Sequence, residues 1–378
     1  LAGIYLHIPF CRQACTYCNF HFTTSLRYRN DLVNALVQEI EQEQDYLGGE
    51  SIQTIYFGGG TPSLLPLSDL ERLLKAIRSR FGVAASAEIT LEANPDDISE
   101  AVLTGWKQLG INRLSIGVQS FFEEELRWMN RAHNAMQAAE ALQLACGHFE
   151  NITMDLIYGS PLLTDEMWRQ NVEKALSLNI PHLSCYALTV EEKTPLHKQI
   201  HLGQKKDVEN DKQARQFLLL MQWLREKGYE HYEVSNFAKP GFRSRHNGAY
   251  WRGVPYLGLG PSAHSFNGSE RRWNIANNSI YIQTVTAGAA RRETERLTPT
   301  QALNEYIMIS LRTAEGIDLD RVEAGWSSAA RKTIEQQVMR YFNNGLVRFS
   351  GASIQLTDPG MLMADGIASD LFYEEPVQ

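Results

Sequence analysis

The chain is poor in cysteine, with five among 378 residues. So sparse and odd a set does not build the disulfide framework of a small secreted domain, and a chain this long holds its fold without such staples. A reducing, cytoplasmic compartment is expected, where clustered thiols bind metal or do chemistry. Long apolar runs are missing too. No transmembrane segment is expected, although transient contact with a membrane surface is compatible with the sequence. The first residues carry no basic stretch and no small-residue cleavage site, so no secretory leader is expected. Nor is there an excess of basic charge. Lys and Arg number 36 against 44 Asp and Glu, a formal net charge of −8. A surface built to grip nucleic acid would have the opposite sign, so no nucleic-acid partner is expected. Hydrophobic residues make up 43% and charged residues 21%. Those proportions exclude a disordered, collagenous or coiled-coil chain.

The first half of the sequence repeats one grammar. Short β-branched or aromatic runs at 3–8, 54–57, 88–92, 113–118, 151–158 and 182–188 alternate with helical patterns. Leu70, Leu73, Leu74 and Ile77 follow the i, i+3, i+4, i+7 rule of an amphipathic helix, as do Leu32, Leu36 and Ile40. Ser68 to Glu71 reads as a capping box, and Thr164 reads as an N-cap. Strand–helix alternation implies a parallel α/β sheet. Six units would form a partial (β/α)6 TIM-like barrel, with a doubly wound sheet as the alternative; both place ligands at the C-terminal strand ends. Residues 1–230 are assigned to this barrel. After a strong helical pattern at 210–227, residues 231–297 read as a loop-rich connecting region. Residues 298–378 read as a mainly helical, winged-helix-like module, with helices at 299–311, 318–324 and 328–342 and a small hairpin at 346–349 and 353–356.

Three of the five cysteines fall together. Cys11, Cys15 and Cys18 form C-x3-C-x2-C in the loop leaving the first strand. Three thiolates can hold three irons of a [4Fe–4S] cluster and leave the fourth iron open. The competing reading is a Cys3His zinc site completed by His7 or His21, in the extreme a zinc-stabilised winged-helix regulator. The second strand runs into Gly58-Gly59-Gly60-Thr61-Pro62, where the backbone can approach a ligand closely. Polar residues stand at or beyond other strand ends: Glu92, Gln119, Arg131 and Asp155. Asp155 lies inside an apolar run, where an ionised carboxylate is costly unless paired.

The cysteine spacing, the aromatic Tyr17 before the last cysteine and the glycine segment together resemble the radical S-adenosylmethionine (radical SAM) superfamily. The run from Tyr5 through Asp155 to Gly159 is similar, more narrowly, to the family of anaerobic coproporphyrinogen III oxidase and haem chaperones, and the similarity extends over nearly the whole chain. That resemblance implies a [4Fe–4S] cluster on Cys11, Cys15 and Cys18. It places Tyr5, Tyr17, Gly59, Gly60, Thr61, Glu92, Gln119, Arg131 and Asp155 at positions that contact S-adenosylmethionine, and Ala187 near a second one in the oxidase branch. It further implies an electron donor for the cluster and, if the ligand is cleaved, methionine and a 5′-deoxyadenosyl radical.

Two departures separate the chain from the oxidase branch. Phe20 stands where that branch carries one more cysteine, and the sequence opens almost at its first strand, without the branch's N-terminal extension. One addition points to the chaperone branch. His246, Asn247, Tyr250 and Trp251 spell H-N-x-x-Y-W, which resembles that branch's haem-binding motif. A neutral His is a common axial ligand of haem iron, and Tyr and Trp offer flat apolar faces to a macrocycle. The expectation is a haem chaperone that binds haem or a related porphyrin and passes it to an acceptor protein. Oxidative decarboxylation of coproporphyrinogen III is the enzymatic alternative. Cys146 and Cys185 are expected to be buried free thiols, and His231 and His264 ordinary hydrogen-bonded side chains, able at most to assist a porphyrin.

Overall fold

The computed structural model describes residues 1–374. Six parallel strands form its centre: β1 (Ala2–Ile8), β2 (Ile52–Gly59), β3 (Val83–Ala93), β4 (Arg113–Gln119), β5 (Ile152–Tyr158) and β6 (His182–Ala187). Each pairs in parallel with the next. Helices such as Arg29–Gln42, Leu67–Arg80 and Asp165–Ser177 carry the chain back between them. This is the open, partial (β/α)6 barrel that the alternation predicts.

The strands alternate with a period of two, and the two faces differ in chemistry. Ile4, Leu6 and Ile8 of β1, Phe57 of β2, Leu114 and Ile116 of β4, and Met154 and Leu156 of β5 are buried in one large core with the helices. Each such burial contributes roughly 1.5–3 kcal/mol relative to exposure. The residues between them are largely polar. Tyr56, Glu92, Arg113, Ser115, Thr153, Asp155 and Ser184 line one small cavity inside the barrel. A hydrophobic exterior under helices and a polar interior are thus written into the same six strands.

The sheet does not stop at six strands. β7 (Glu230–Glu233) and β8 (Asn236–Ala238) extend it beyond β6, with β8 antiparallel to β6. On the other edge β9 (Tyr256–Leu259) runs parallel to β1, and β10 (His264–Phe266), β11 (Glu270–Asn274) and β12 (Arg292–Arg296) follow antiparallel. Most of the stretch expected to be loop-rich is therefore built from short strands and two helices, Arg245–Trp251 and Asn278–Thr286. Strands of three to five residues are too short to show a period. They form because exposed sheet edges offer unpaired N–H and C=O groups. Buried Glu39 ties this edge to the Arg29–Gln42 helix, accepting from Gly260 N at 2.8 Å, Asn274 Nδ2 at 2.7 Å, Tyr281 Oη at 2.5 Å and Arg292 at 3.1 Å.

Two local expectations change. The helix expected to start with a capping box at Ser68 begins at Leu67 behind Pro66, with no side-chain cap. Proline fixes φ ahead of the first turn, and its backbone carbonyl accepts from Asp69 N at 3.0 Å and Leu70 N at 3.2 Å. Cys146 is exposed, whereas Cys185 is buried as expected; the last turns of the Ala135–His148 helix leave the Cys146 edge at the surface. Thr164 caps as expected, accepting from Met167 N at 3.1 Å.

After β12 the chain forms helices Pro299–Leu311, Leu319–Gly325 and Ser328–Asn343 and a three-stranded sheet of β13 (Ile317–Asp318), β14 (Val347–Ser350) and β15 (Ser353–Leu356). Leu303, Ile307, Ile334, Val338, Ile354 and Ile367 give it a core of its own. It docks on β7 through backbone bonds, Val234 N to Arg312 O at 2.9 Å and Ala314 N to Tyr232 O at 3.0 Å. Among the described residues no helix is long and apolar enough to cross a membrane.

Candidate functional site

The loop after β1 is pinned to the barrel rim. Cys11 N donates to Thr23 O at 3.0 Å, Gly60 N to Ile8 O at 2.9 Å and Thr16 N to Met129 O at 3.1 Å. The Gly58–Gly60 segment serves this packing directly. A side-chain carbon on Gly60 would lie 2.7 Å from Phe10 O and 3.0 Å from Cys11 Sγ, and one on Gly59 would meet the His7 ring at 2.8 Å. Gly59 also holds φ at 112°, a region that favours glycine. The segment is thus as much a seat for the cysteine loop as a ligand-facing surface.

Cys11, Cys15 and Cys18 are half-buried free thiols on the wall of a cavity of about 430 Å³. Tyr17, Gly59, Gly60, Thr61, Glu92, Gln119, Arg131 and Asp155 line the same cavity, and Ala187 borders it. Tyr5 does not. Its ring lines a second cavity and its hydroxyl meets His7 Nδ1 at 3.2 Å. The donors around the thiols are fixed: Thr61 Oγ1 lies 3.5 Å and Arg131 3.4 Å from the sulfurs of Cys11 and Cys15. Arg131 also donates to Asn94 Oδ1 and to Gly117 O, both at 2.7 Å. Gln119 sits at a register shift against β5, with φ at 69°. That bulge redirects its side chain toward the cavity mouth.

The electrostatics of the cavity favour a cation. Burial first, then the neighbouring Asp155 carboxylate, pushes Glu92 up to about 7, although Tyr56 donates to it at 2.8 Å. Burial pushes Asp155 up to about 6, against the pull of the Ser184 and Ser115 hydroxyls. Two buried carboxyls near neutrality are eased by a positively charged guest. The thiols behave likewise. Burial raises Cys11 and pushes Cys18 up to about 11, so thiolates form there when a cationic metal offsets the desolvation. Among the described residues no three Cys, His, Asp or Glu side chains converge on one metal position. His7 is already engaged at both ring nitrogens, with Tyr5 Oη at 3.2 Å and His21 O at 2.8 Å. That arrangement suits a single zinc poorly. A cluster is less demanding, because each thiolate takes its own iron.

The H-N-x-x-Y-W segment is helical, spanning Arg245–Trp251, with Ser244 accepting from Asn247 N at 3.2 Å. Its four candidates separate. Tyr250 and Trp251 line the second cavity, of about 970 Å³, which reaches to the C-terminal module. Asn247 faces the small polar cavity inside the barrel. His246 is 2% exposed and lines none of these cavities. Its Nδ1 pairs with Thr54 Oγ1 at 2.7 Å, its Nε2 with Tyr250 Oη at 2.8 Å, and its ring stacks on Tyr56 at 5.0 Å. Burial pushes it down to about 3, so it is neutral. The expected haem ligand is thus a rivet between β2 and the helix. Tyr56 joins His246 to Glu92, and Asn94 accepts from Arg131 and orients it; neither carries a sequence signal, one being an ordinary strand aromatic and the other part of a Pro-flanked loop. The 970 Å³ cavity shares Asn19 and Phe20 with the thiol cavity, and Phe20 is 67% exposed.

The Radical SAM superfamily model matches residues 5–175, and the HemN C-terminal domain model matches residues 297–363. The curated Heme chaperone HemW of Lactococcus lactis is 33% identical over 364 residues, 96% of this chain and 95% of that protein. The Heme chaperone HemW of Bacillus subtilis is 31% identical over 371 residues, covering 97% and 98%. Among solved structures, coproporphyrinogen III oxidase (HemN) from Escherichia coli, described as a radical SAM enzyme, matches with a TM-score of 0.84 at 26% identity, over 98% of this chain and 90% of that one.

Proposed function

Because the chain belongs to the radical SAM superfamily, in the family of the Heme chaperone HemW, we propose that it carries haem and hands it to an acceptor protein. The family implies a [4Fe–4S] cluster and S-adenosylmethionine. In this reading Cys11, Cys15 and Cys18 hold the cluster. Gly59, Gly60, Thr61, Glu92, Gln119, Arg131, Asp155 and Tyr17 hold S-adenosylmethionine. When bound, the cluster supplies an electron, drawn from a donor protein. The chain's own residues do the rest. Glu92 and Asp155 meet the positive charge of the ligand, Arg131 braces the loop beside Cys15, and the glycine segment keeps the loop on the rim.

The observation that carries haem binding is the second cavity. Its volume of about 970 Å³ lies at the upper end of small-molecule sites, and Tyr250, Trp251, Tyr256, Phe266, Tyr306 and Trp326 line it. Flat aromatic walls with His and Arg at hand suit a flat macrocycle bearing carboxylates. The test is an anaerobic haem titration of the cluster-loaded protein, followed by transfer to an apo-haem protein. Saturable binding with a shifted Soret band supports the reading. Its absence refutes it. The oxidase reading draws on the HemN-like fold. Robust protoporphyrinogen formation from coproporphyrinogen III, with reductant and S-adenosylmethionine, would replace haem carriage by catalysis.

A further inference from the structure

We propose that the haem iron is taken by His264 of β10 and not by His246, an assignment that rests on haem being the guest of the 970 Å³ cavity. An axial ligand needs an imidazole nitrogen with a free lone pair, aimed into space that a macrocycle can fill. His246 offers none: both of its nitrogens are engaged at 2.7 and 2.8 Å, and Tyr250 stands between its Nε2 and the cavity. Freeing it would require breaking two hydrogen bonds, the one to Thr54 buried, and lifting the Arg245–Trp251 helix off β2.

Three histidines line the cavity: His7, His21 and His264. His7 is bonded at both nitrogens. His21 has its outer nitrogen, Nε2, bonded to Asn278 Oδ1 at 2.7 Å, which leaves only Nδ1, the nitrogen crowded by its own Cβ and backbone, on a ring 6.1 Å from that of His7. His264 is different. Its side chain is exposed on the cavity wall, and among the described residues that side chain has no hydrogen-bond or ion-pair partner. Its ring is nevertheless held, stacked on Trp273 at 5.7 Å and 25° across the β10–β11 pair. Its backbone is held too. Gly258 on β9 approaches so closely that a side-chain carbon there would come within 1.9 Å of His264 O. A ring oriented by stacking, on a fixed backbone and with both nitrogens unclaimed, is a preorganised ligand. Burial and the nearby Arg271 lower its basicity, which keeps the imidazole neutral.

The surroundings agree. Phe266, two residues on, shares the β10 face of His264 and pairs in register with Tyr256 of β9. Arg271 lies opposite Phe266 on β11 and reaches Glu305 of the C-terminal module, while Arg321 covers the Tyr306 ring at 4.6 Å. Both arginines line the cavity and can meet the haem carboxylates. His246 then has a positioning role: it fixes Tyr250, which forms part of the opposite wall.

The test is haem titration of the full-length protein, unaltered and as His264→Gly and His246→Gly, each with and without added imidazole. His264→Gly is expected to bind haem more than about tenfold more weakly, with an altered Soret band. Imidazole should restore the spectrum by filling the vacated ligand position. His246→Gly is expected to lower the melting temperature, with no spectral rescue by imidazole. Wild-type affinity and spectrum in His264→Gly would overturn the assignment while leaving haem binding intact. So would imidazole rescue confined to His246→Gly. No saturable binding by the unaltered protein would overturn the haem reading itself.

Discussion

Affinity for S-adenosylmethionine should fall steeply below neutral pH, and the size of the fall follows from one carboxyl. Glu92 titrates near 7 in the ligand-free protein because it is buried beside Asp155. A bound sulfonium and ammonium favour its charged form and should bring it below about 5. Binding at pH 6 must therefore first remove a proton, and binding at pH 8 need not. The ratio of dissociation constants between those pH values is then about tenfold, or about 1.4 kcal/mol. Asp155, near 6, adds roughly a further factor of two, discounted by its coupling to Glu92. Isothermal titration in two buffers of different ionisation enthalpy reads both quantities. It should show about one proton released per ligand near pH 6 and little near pH 8. Glu92→Gln supplies the control. It should bind more weakly at pH 8, with most of the pH slope gone, which separates Glu92 from the ligand's own amino group. Equal affinity of the unaltered protein at pH 6 and pH 8 would refute the role of Glu92. The sign for the empty fold is the reverse of that for an ordinary carboxylate. The folded-state value is raised, so the native protein holds more protons than the unfolded chain between about 4.5 and 7, and stability falls as pH rises through that window. Ligand-free protein should melt at a lower temperature at pH 7.5 than at pH 5.5 on account of this pair.

Gly60→Ala should destabilise the fold by about 1–3 kcal/mol, because its new carbon meets fixed Phe10 backbone; calorimetry should show the loss, and iron analysis after anaerobic reconstitution should show reduced loading. Cys15→Ala should lose iron and sulfide together, and zinc without sulfide in the unaltered protein would refute the cluster. Thr54→Val leaves buried His246 Nδ1 without its partner, which should cost about 1–3 kcal/mol in chemical denaturation; a neutral result would mean that the ring is not riveted there.

The six core strands and most helices were legible because their periods are long enough to read. The β1–β6 ladder lies within a few residues of the apolar runs, and Pro299–Leu311 matches its pattern at both ends. The edge strands β7–β11 were not legible. Their residues do not differ in type from loop residues; they become strands because β1 and β6 present open edges. The cysteine loop stands out by its spacing, but spacing alone leaves cluster and zinc both open until Tyr17 and the glycine segment are added; the polar strand-end residues line one cavity with it. His246 shows the opposite case. Its motif was visible, but whether its imidazole faces a ligand or a threonine depends on Thr54, which is 192 residues away in sequence.

The sequence by itself determined the chemistry available: three clustered thiols, carboxyls placed among apolar residues, and strands with one oily and one polar face. These are local properties of side-chain type and spacing, and folding does not alter them. The tertiary structure decided which groups are free to use that chemistry. Burial raises Glu92 and Asp155 into the neutral range, close packing makes Gly60 a seat for the cysteine loop, and hydrogen bonding occupies His246 while leaving His264 open. Desolvation, contact and partner satisfaction depend on distant segments meeting, so no window of sequence contains them.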